Sequence, residues 1–193
     1  KNWWSFQPIV NPSIPAGPAS SPIDRFLNAK IIAAKLTAAA KADKATLLRR
    51  VTYTLTGLPP TPAEIAAFQA DTSTEAYARV IDRLLASPRY GEHFARHWMD
   101  LVRYADTHGS EGDPNIPQSW RYRDYLIRAF NDNVPYDQFV REQIAGDLLT
   151  QPRVNPAEQL NESALGTGHF RLIEHGFQPV DTLDEQVRNV DNQ

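Results

Sequence analysis

The side chains best suited to chemistry crowd into one stretch of this chain, on either side of a loop rich in Gly and Pro. Before the loop stand His93, His97, Asp100, Arg103, Tyr104 and Asp106; after it stand Trp120, Arg121, Arg123 and Asp124. His97, Asp100 and Tyr104 recur at i, i+3 and i+7, a spacing that puts them on one face of a helix. An imidazole beside a carboxylate can move a proton, and guanidinium groups grip anions in a bidentate fork. His97, Asp100, Arg103 and Asp106 are therefore the catalytic candidates. Tyr104, Trp120, Arg121, Arg123 and Asp124 are the candidate walls of a pocket for an anionic or sugar-like ligand. The same residues can equally form an interhelical salt-bridge network that only fixes the fold.

Two weaker metal patterns overlap this stretch. His93 and His97, at i and i+4, can present two imidazoles to one ion, though the pattern is not HExxH and a third ligand is needed. Asp106, Glu111 and Asp113 set hard oxygens around Gly109 and Gly112, which looks calcium-like but lacks EF-hand spacing. A solvated acidic loop, or a lid over the Arg/Trp cluster, explains these residues as well. His169 and His175 are candidates to reach a haem held by a neighbouring segment, whereas Met99, the sole Met, reads as core. The chain has no Cys, which rules out disulfides, thiolate zinc, iron–sulfur clusters and covalent haem attachment to it. There is no Gly-rich phosphate loop and no GxSxG elbow, and no Ser/His/Asp spacing selects a triad.

The elements that must position these residues read as helices. Residues 1–20 form an extended arm: Trp3, Trp4 and Phe6 precede prolines 8, 12, 15 and 18, and the aromatic start is expected to anchor in a core. Ser21-Pro22 opens a helix. Another runs from Asp43 along Leu47, Leu48, Val51 and Leu55 to Gly57. Val51–Thr56 is rich in β-branched residues, yet its position makes it the end of that helix. Thr61-Pro62-Ala63-Glu64 and Thr72-Ser73-Thr74-Glu75 both read as capping boxes. Ser87-Pro88 starts the helix that carries His93 to Val102. Residues 106–118 make a long loop without periodicity, and such loops are often functional. Ser119 opens the helix of Trp120 to Phe130, and the run from Asn131 to Pro135 breaks it. A helix through Phe139 and Ile144 ends near Gly146, and Asn155-Pro156 is expected to cap one more. The fold class is all-α: an irregular multi-helix domain with a Pro-rich arm and a long central loop. The expected organisation is 1–20 arm, 21–175 helical domain, and 176–193 irregular tail or start of a continuation.

The formal charge of −3 over 193 residues gives no basic footprint for nucleic acid. No apolar run approaches the roughly 20 residues of a membrane helix, so no membrane insertion is expected. Lys1-Asn2-Trp3-Trp4 lacks the pattern of a signal peptide.

Several segments together resemble one family. They include Trp3 to Pro8, Pro22 to Leu27, Leu48 to Thr52, and Leu55 to Pro62. The densest run is Asp82 to Gly91, followed by Arg96 to Asp100 and Arg103 to Asp106. Then come Trp120 to Asp124, Pro135 to Gln143, and Ala145 to Leu149. In order and nearly throughout, they are similar to the DUF1549 (PSCyt2) domain of large planctomycete-type cytochrome-c-like proteins. The resemblance implies an exported, periplasmic or extracellular protein, with a DUF1553-type or haem-bearing segment of the parent protein as partner. It also implies a CxxCH motif and haem c beyond the region matching this chain, and none within it. Electron transfer is its family-level implication. The functions left open are a helical module that supports a haem-bearing segment or binds a substrate, an extracellular enzyme acting on a polysaccharide or other anionic or sugar-like substrate, and a scaffold pairing with its parent protein.

Overall fold

Proline and short polar side chains set most helix boundaries in the computed structural model, which describes residues 3–109, 112–172 and 187. Eight α-helices are seen among the described residues: α1 (Pro22–Ala33), α2 (Lys44–Thr56), α3 (Pro62–Ala70), α4 (Ala76–Leu85), α5 (Pro88–Leu101), α6 (Trp120–Asn131), α7 (Tyr136–Ala145) and α8 (Glu162–Leu165). A small antiparallel pair, β1 (Val154–Asn155) and β2 (Leu160–Asn161), sets Val154 opposite Asn161 and Asn155 opposite Leu160. The all-α expectation therefore holds, with this pair as the exception.

The chain divides into two compact units, Lys1–Ala42 and Asp43–Gln193. The first combines the extended arm with α1. That helix buries none of its residues. Trp3, Trp4 and Phe6 are exposed at 60%, 84% and 83%, so within this unit they build no core.

In the second unit, local chemistry explains several helix boundaries. The Asp43 carboxylate accepts from Thr46 N at 2.8 Å, which caps α2. Thr52 and Thr56 donate their hydroxyls to the carbonyls of Leu48 and Thr52, both at 2.8 Å. These bonds satisfy β-branched polar residues inside a helix, so residues 51–56 stay helical. Gly57 then takes φ 69°, and the helix stops. Thr61 and Glu64 form the reciprocal capping box of α3. The second box expected, at Thr72–Glu75, is absent. Instead Asp71 accepts from the backbone and hydroxyl of Ser73 and pairs with Arg79, while Glu75 precedes α4 without a side-chain cap. The helix expected after Asn155-Pro156 is also absent. Asn155 Oδ1 accepts from the amides of Ala157 and Glu158, which turns the chain into the β1–β2 hairpin, and Asn161 caps α8.

Two cores result. Leu48, Phe68 and Ala76 join α2, α3 and α4. Ala95, Val102, Tyr122, Tyr125, Leu126, Ala129 and Phe139 join α5, α6 and α7, with Ile116 and Leu172 closing the cluster. Trp98 and Met99 pack against it, as a core Met should. Leu101, the last residue of α5, is left 68% exposed. The α5–α6 contact is close at Gly91. A Cβ there would lie 2.4 Å from the Ile127 carbonyl oxygen, and the Gly91 amide donates to Asn131 Oδ1 at 2.9 Å.

Candidate functional site

The long loop is folded back on itself. Thr107 and Asn115 form an antiparallel bridge, and the Ile116 amide donates to the Asp106 carbonyl at 2.8 Å. Its two ends are thereby pinned together, and the exit of α5 meets the start of α6. Tyr104 Oη and Ser119 Oγ both donate to Asp106 Oδ1, at 2.8 and 3.0 Å. These bonds, helped by nearby Arg123, hold the Asp106 carboxyl below its ordinary range. Partial burial, and then the bond to Asp106, raise the Tyr104 phenol. Arg123 pairs with its neighbour Asp124 at 2.9 Å. Ser119 spends its hydroxyl here and makes no cap for α6.

Tyr104 reaches this cluster by leaving the helix. Arg103 takes φ 54°, the Arg103 amide donates to the Asp100 carbonyl, and the Tyr104 amide donates to the Met99 carbonyl at 2.9 Å. This is a Schellman turn with Arg in the left-handed position usually held by Gly. The expectation that His97, Asp100 and Tyr104 share one helical face is therefore corrected, because α5 ends at Leu101. His97 and Asp100 lie on the exposed surface of α5. The ring of His97 contacts His93 and Phe94, with centroids at 4.9 and 5.9 Å.

The metal candidates do not gather. No group of three or more metal-ligating side chains is assembled among the described residues. His93 packs its ring over Gly57, where an added Cβ would lie 2.6 Å from His93 Nδ1. Burial, then the neighbouring His97 and Arg96, push its imidazole below the ordinary value. Asp113 Oδ1 accepts from the Gly109 amide at 2.8 Å and serves the loop turn. Glu111 lies outside the described residues, as does His175. His169 is buried, with Nδ1 3.0 Å from the Gly166 carbonyl, and its ring packs against Tyr122 and Phe170. It is buried in the described fold, at 4% exposure.

Trp120 and Arg121 face a different feature from Arg123. The Arg121 guanidinium lies 5.4 Å from the centre of the Trp120 ring. Arg121 also lines a cleft of about 660 Å³ with the 116–119 turn, Ile144, Asp147, Leu148, Phe170 and Arg171. Its Nε is buried and has no hydrogen-bond partner. The expected polar pocket thus splits in two. Tyr104, Asp106, Ser119, Arg123 and Asp124 satisfy one another, while the Arg121 side chain lines the cleft and its buried Nε has no partner.

The most buried charges were not among the sequence candidates. Glu142, fully buried, accepts from Tyr125 Oη at 2.8 Å, Ser163 Oγ at 3.0 Å, Gln138 Nε2 at 3.2 Å, and Arg153 Nε and Nη2, both at 3.2 Å. Burial alone would raise this carboxyl, but the bonds from Arg153, Tyr125 and Gln138 leave it below its ordinary value. Glu162, 1% exposed, pairs with Arg128 at 2.7 Å and keeps one carboxylate oxygen without a partner. Gln143 accepts from Tyr122 Oη at 2.7 Å and Trp98 Nε1 at 3.4 Å. The signal was Phe139, Glu142 and Gln143 at helical spacing, which puts charge on a core-facing stripe.

With this arrangement in view, comparison with known proteins decides the family. The PSCyt2 family model, described as "Protein of unknown function (DUF1549)", matches residues 22–193. The chain belongs to the DUF1549 family. The matched residues begin with α1 and include both the polar cluster and the Arg121 cleft. No curated protein and no solved structure matches it. Among the described residues, no helix is long and apolar enough to cross a membrane.

Proposed function

We propose that this DUF1549 domain is a non-catalytic binding module of a larger exported protein, and that its cleft beside the start of α6 grips an anionic group. The buried, unpartnered Nε of Arg121 in the cleft wall carries this proposal. A buried charged donor left without an acceptor is costly, so the fold leaves hydrogen-bonding capacity of this guanidinium unused in the cleft wall. The Trp120 ring beneath the guanidinium holds its plane, so a carboxylate or similar oxyanion can meet its fork with little loss of side-chain freedom.

Catalysis by the candidate set is less well supported. An enzyme using His97, Asp100, Arg103 and Asp106 would need them to converge on one ligand. Asp106 is instead held by Tyr104 and Ser119, and His97 stacks among its own helix neighbours. The exported location, the DUF1553-type or haem-bearing neighbour and the electron-transfer context belong to the same proposal and rest on family resemblance.

Calorimetric titration of the chain with acetate and with sulfate tests the anion site. Saturable binding is expected in the wild type, weakened about tenfold or more by Arg121→Gln and only partly kept by Arg121→Lys, which retains the charge but not the fork. Absence of saturable binding, or equal binding by Arg121→Gln, would overturn the proposal.

A further inference from the structure

Two unmet demands meet in the Arg121 cleft, and together they describe a ligand. One is polar: the buried Arg121 Nε lacks an acceptor. The other is apolar: Ile144 and Leu148 stand on the rim 67% and 77% exposed, although both belong to the well-packed stretch that carries Glu142. Exposed single apolar residues are ordinary, but two of them line one cleft together with Phe170, Ile116 and the guanidinium.

We infer that the cleft receives a small amphiphilic monocarboxylate, its head paired with Arg121 and its hydrocarbon body laid along Ile144, Leu148 and Phe170. This rests on the anion site proposed above and names its ligand class. The charges on the walls are Arg121, Arg171 and Asp147, a surplus of a single positive charge, which a monoanion neutralises and a dianion exceeds. A volume of about 660 Å³ suits a molecule of this kind. A free inorganic anion would satisfy Arg121 and leave the apolar rim in water. A neutral alcohol would cover the rim and leave the guanidinium unpaired.

The test is a calorimetric titration of the whole chain with acetate, butyrate, hexanoate and octanoate, and with 1-octanol and octyl phosphate. Affinity is expected to rise along the acid series by about fourfold for each methylene that is buried. Octanol is expected to bind about tenfold or more below octanoate. Arg121→Gln should bring octanoate down to the level of octanol, and Leu148→Ser should flatten the rise with chain length. Leu148 is exposed, so its replacement opens no core, and an unchanged unfolding midpoint confirms that the fold is intact. A flat affinity from acetate to octanoate overturns the amphiphile and leaves the anion site standing. Octanol binding as well as octanoate, or octyl phosphate binding better, overturns the monocarboxylate. If neither acetate nor octanoate binds, both proposals fall.

Discussion

Replacing Glu142 by Gln changes one atom's chemistry at the most enclosed charge in the fold. The wild-type carboxylate has no exposed surface and accepts from Tyr125, Ser163, Gln138 and twice from Arg153. In Glu142→Gln one acceptor oxygen becomes an NH₂ that faces other donors, and the Arg153 cation loses its buried counter-charge. Arg153 retains Asp132, at 3.6 Å and largely in water, the nearby buried charge of Glu162, and the Tyr125 ring at 5.7 Å. Breaking a buried pair from one side costs about 3 to 5 kcal/mol. For a chain of this size that lowers the unfolding midpoint by about 6 to 20 °C. The pH dependence carries a second signature. The folded carboxyl titrates below its unfolded value of 4.5, so its stabilisation is complete above that pH and is lost as the pH falls through the folded value. Thermal unfolding by circular dichroism, from neutral pH down to acid, should show a wide gap between wild type and variant that narrows below that value. A variant melting with the wild type at neutral pH would refute the idea that this network holds α6, α7 and α8 together.

Gly91→Ala should cost about 1 to 3 kcal/mol or more in denaturant unfolding, because its methyl meets the Ile127 carbonyl across the α5–α6 contact. Asp106→Asn should lower the Tyr104 phenol part of the way toward its ordinary value, since burial, the larger cause, remains. Ultraviolet titration of tyrosinate ionisation, with Tyr104→Phe as the control, reads this out. Arg121→Met should change stability by no more than about 1 kcal/mol, the scale of its contact with Trp120, because Nε has no partner to lose. Unfolding midpoints measure it, and a large loss would mean that Arg121 serves the fold and not a ligand.

The helical architecture was legible wherever one side chain sets a boundary. Asp43 and Thr61 start helices by bonds to residues three positions away, Pro62 fits the first helical position by its fixed φ, and Gly57 stops one by its own backbone freedom. These are local events, so spacing reveals them. The Thr72–Glu75 box failed because Asp71, one residue earlier, took the Ser73 amide first. The hairpin at residues 154–161 was hidden because Asn155 can serve a turn as readily as a helix cap. The candidate site was legible in half. Loop closure did bring Tyr104 and Asp106 to Ser119, but sequence spacing could not foresee that Arg103 would turn left-handed and carry Tyr104 off the helix. Arg121 and Arg123 were grouped by proximity in sequence. Two helical positions place them well round the axis from each other, so one met Asp124 and the other the cleft. Glu142 and Arg153 were missed because their pairing depends on the segment just before β1 folding back beside α7, which local spacing does not encode.

The account turns on whether the Arg121 side chain is a waiting ligand contact. Nuclear magnetic resonance of the arginine Nε–H groups, with the Arg121 signal assigned by its loss in Arg121→Lys, observes that donor directly. Titration with octanoate should move this signal saturably downfield as its hydrogen acquires an acceptor, while the Nε–H of Arg123 stays in place. An Arg121 signal that does not respond, or a shift spread evenly over the surface arginines, would contradict it.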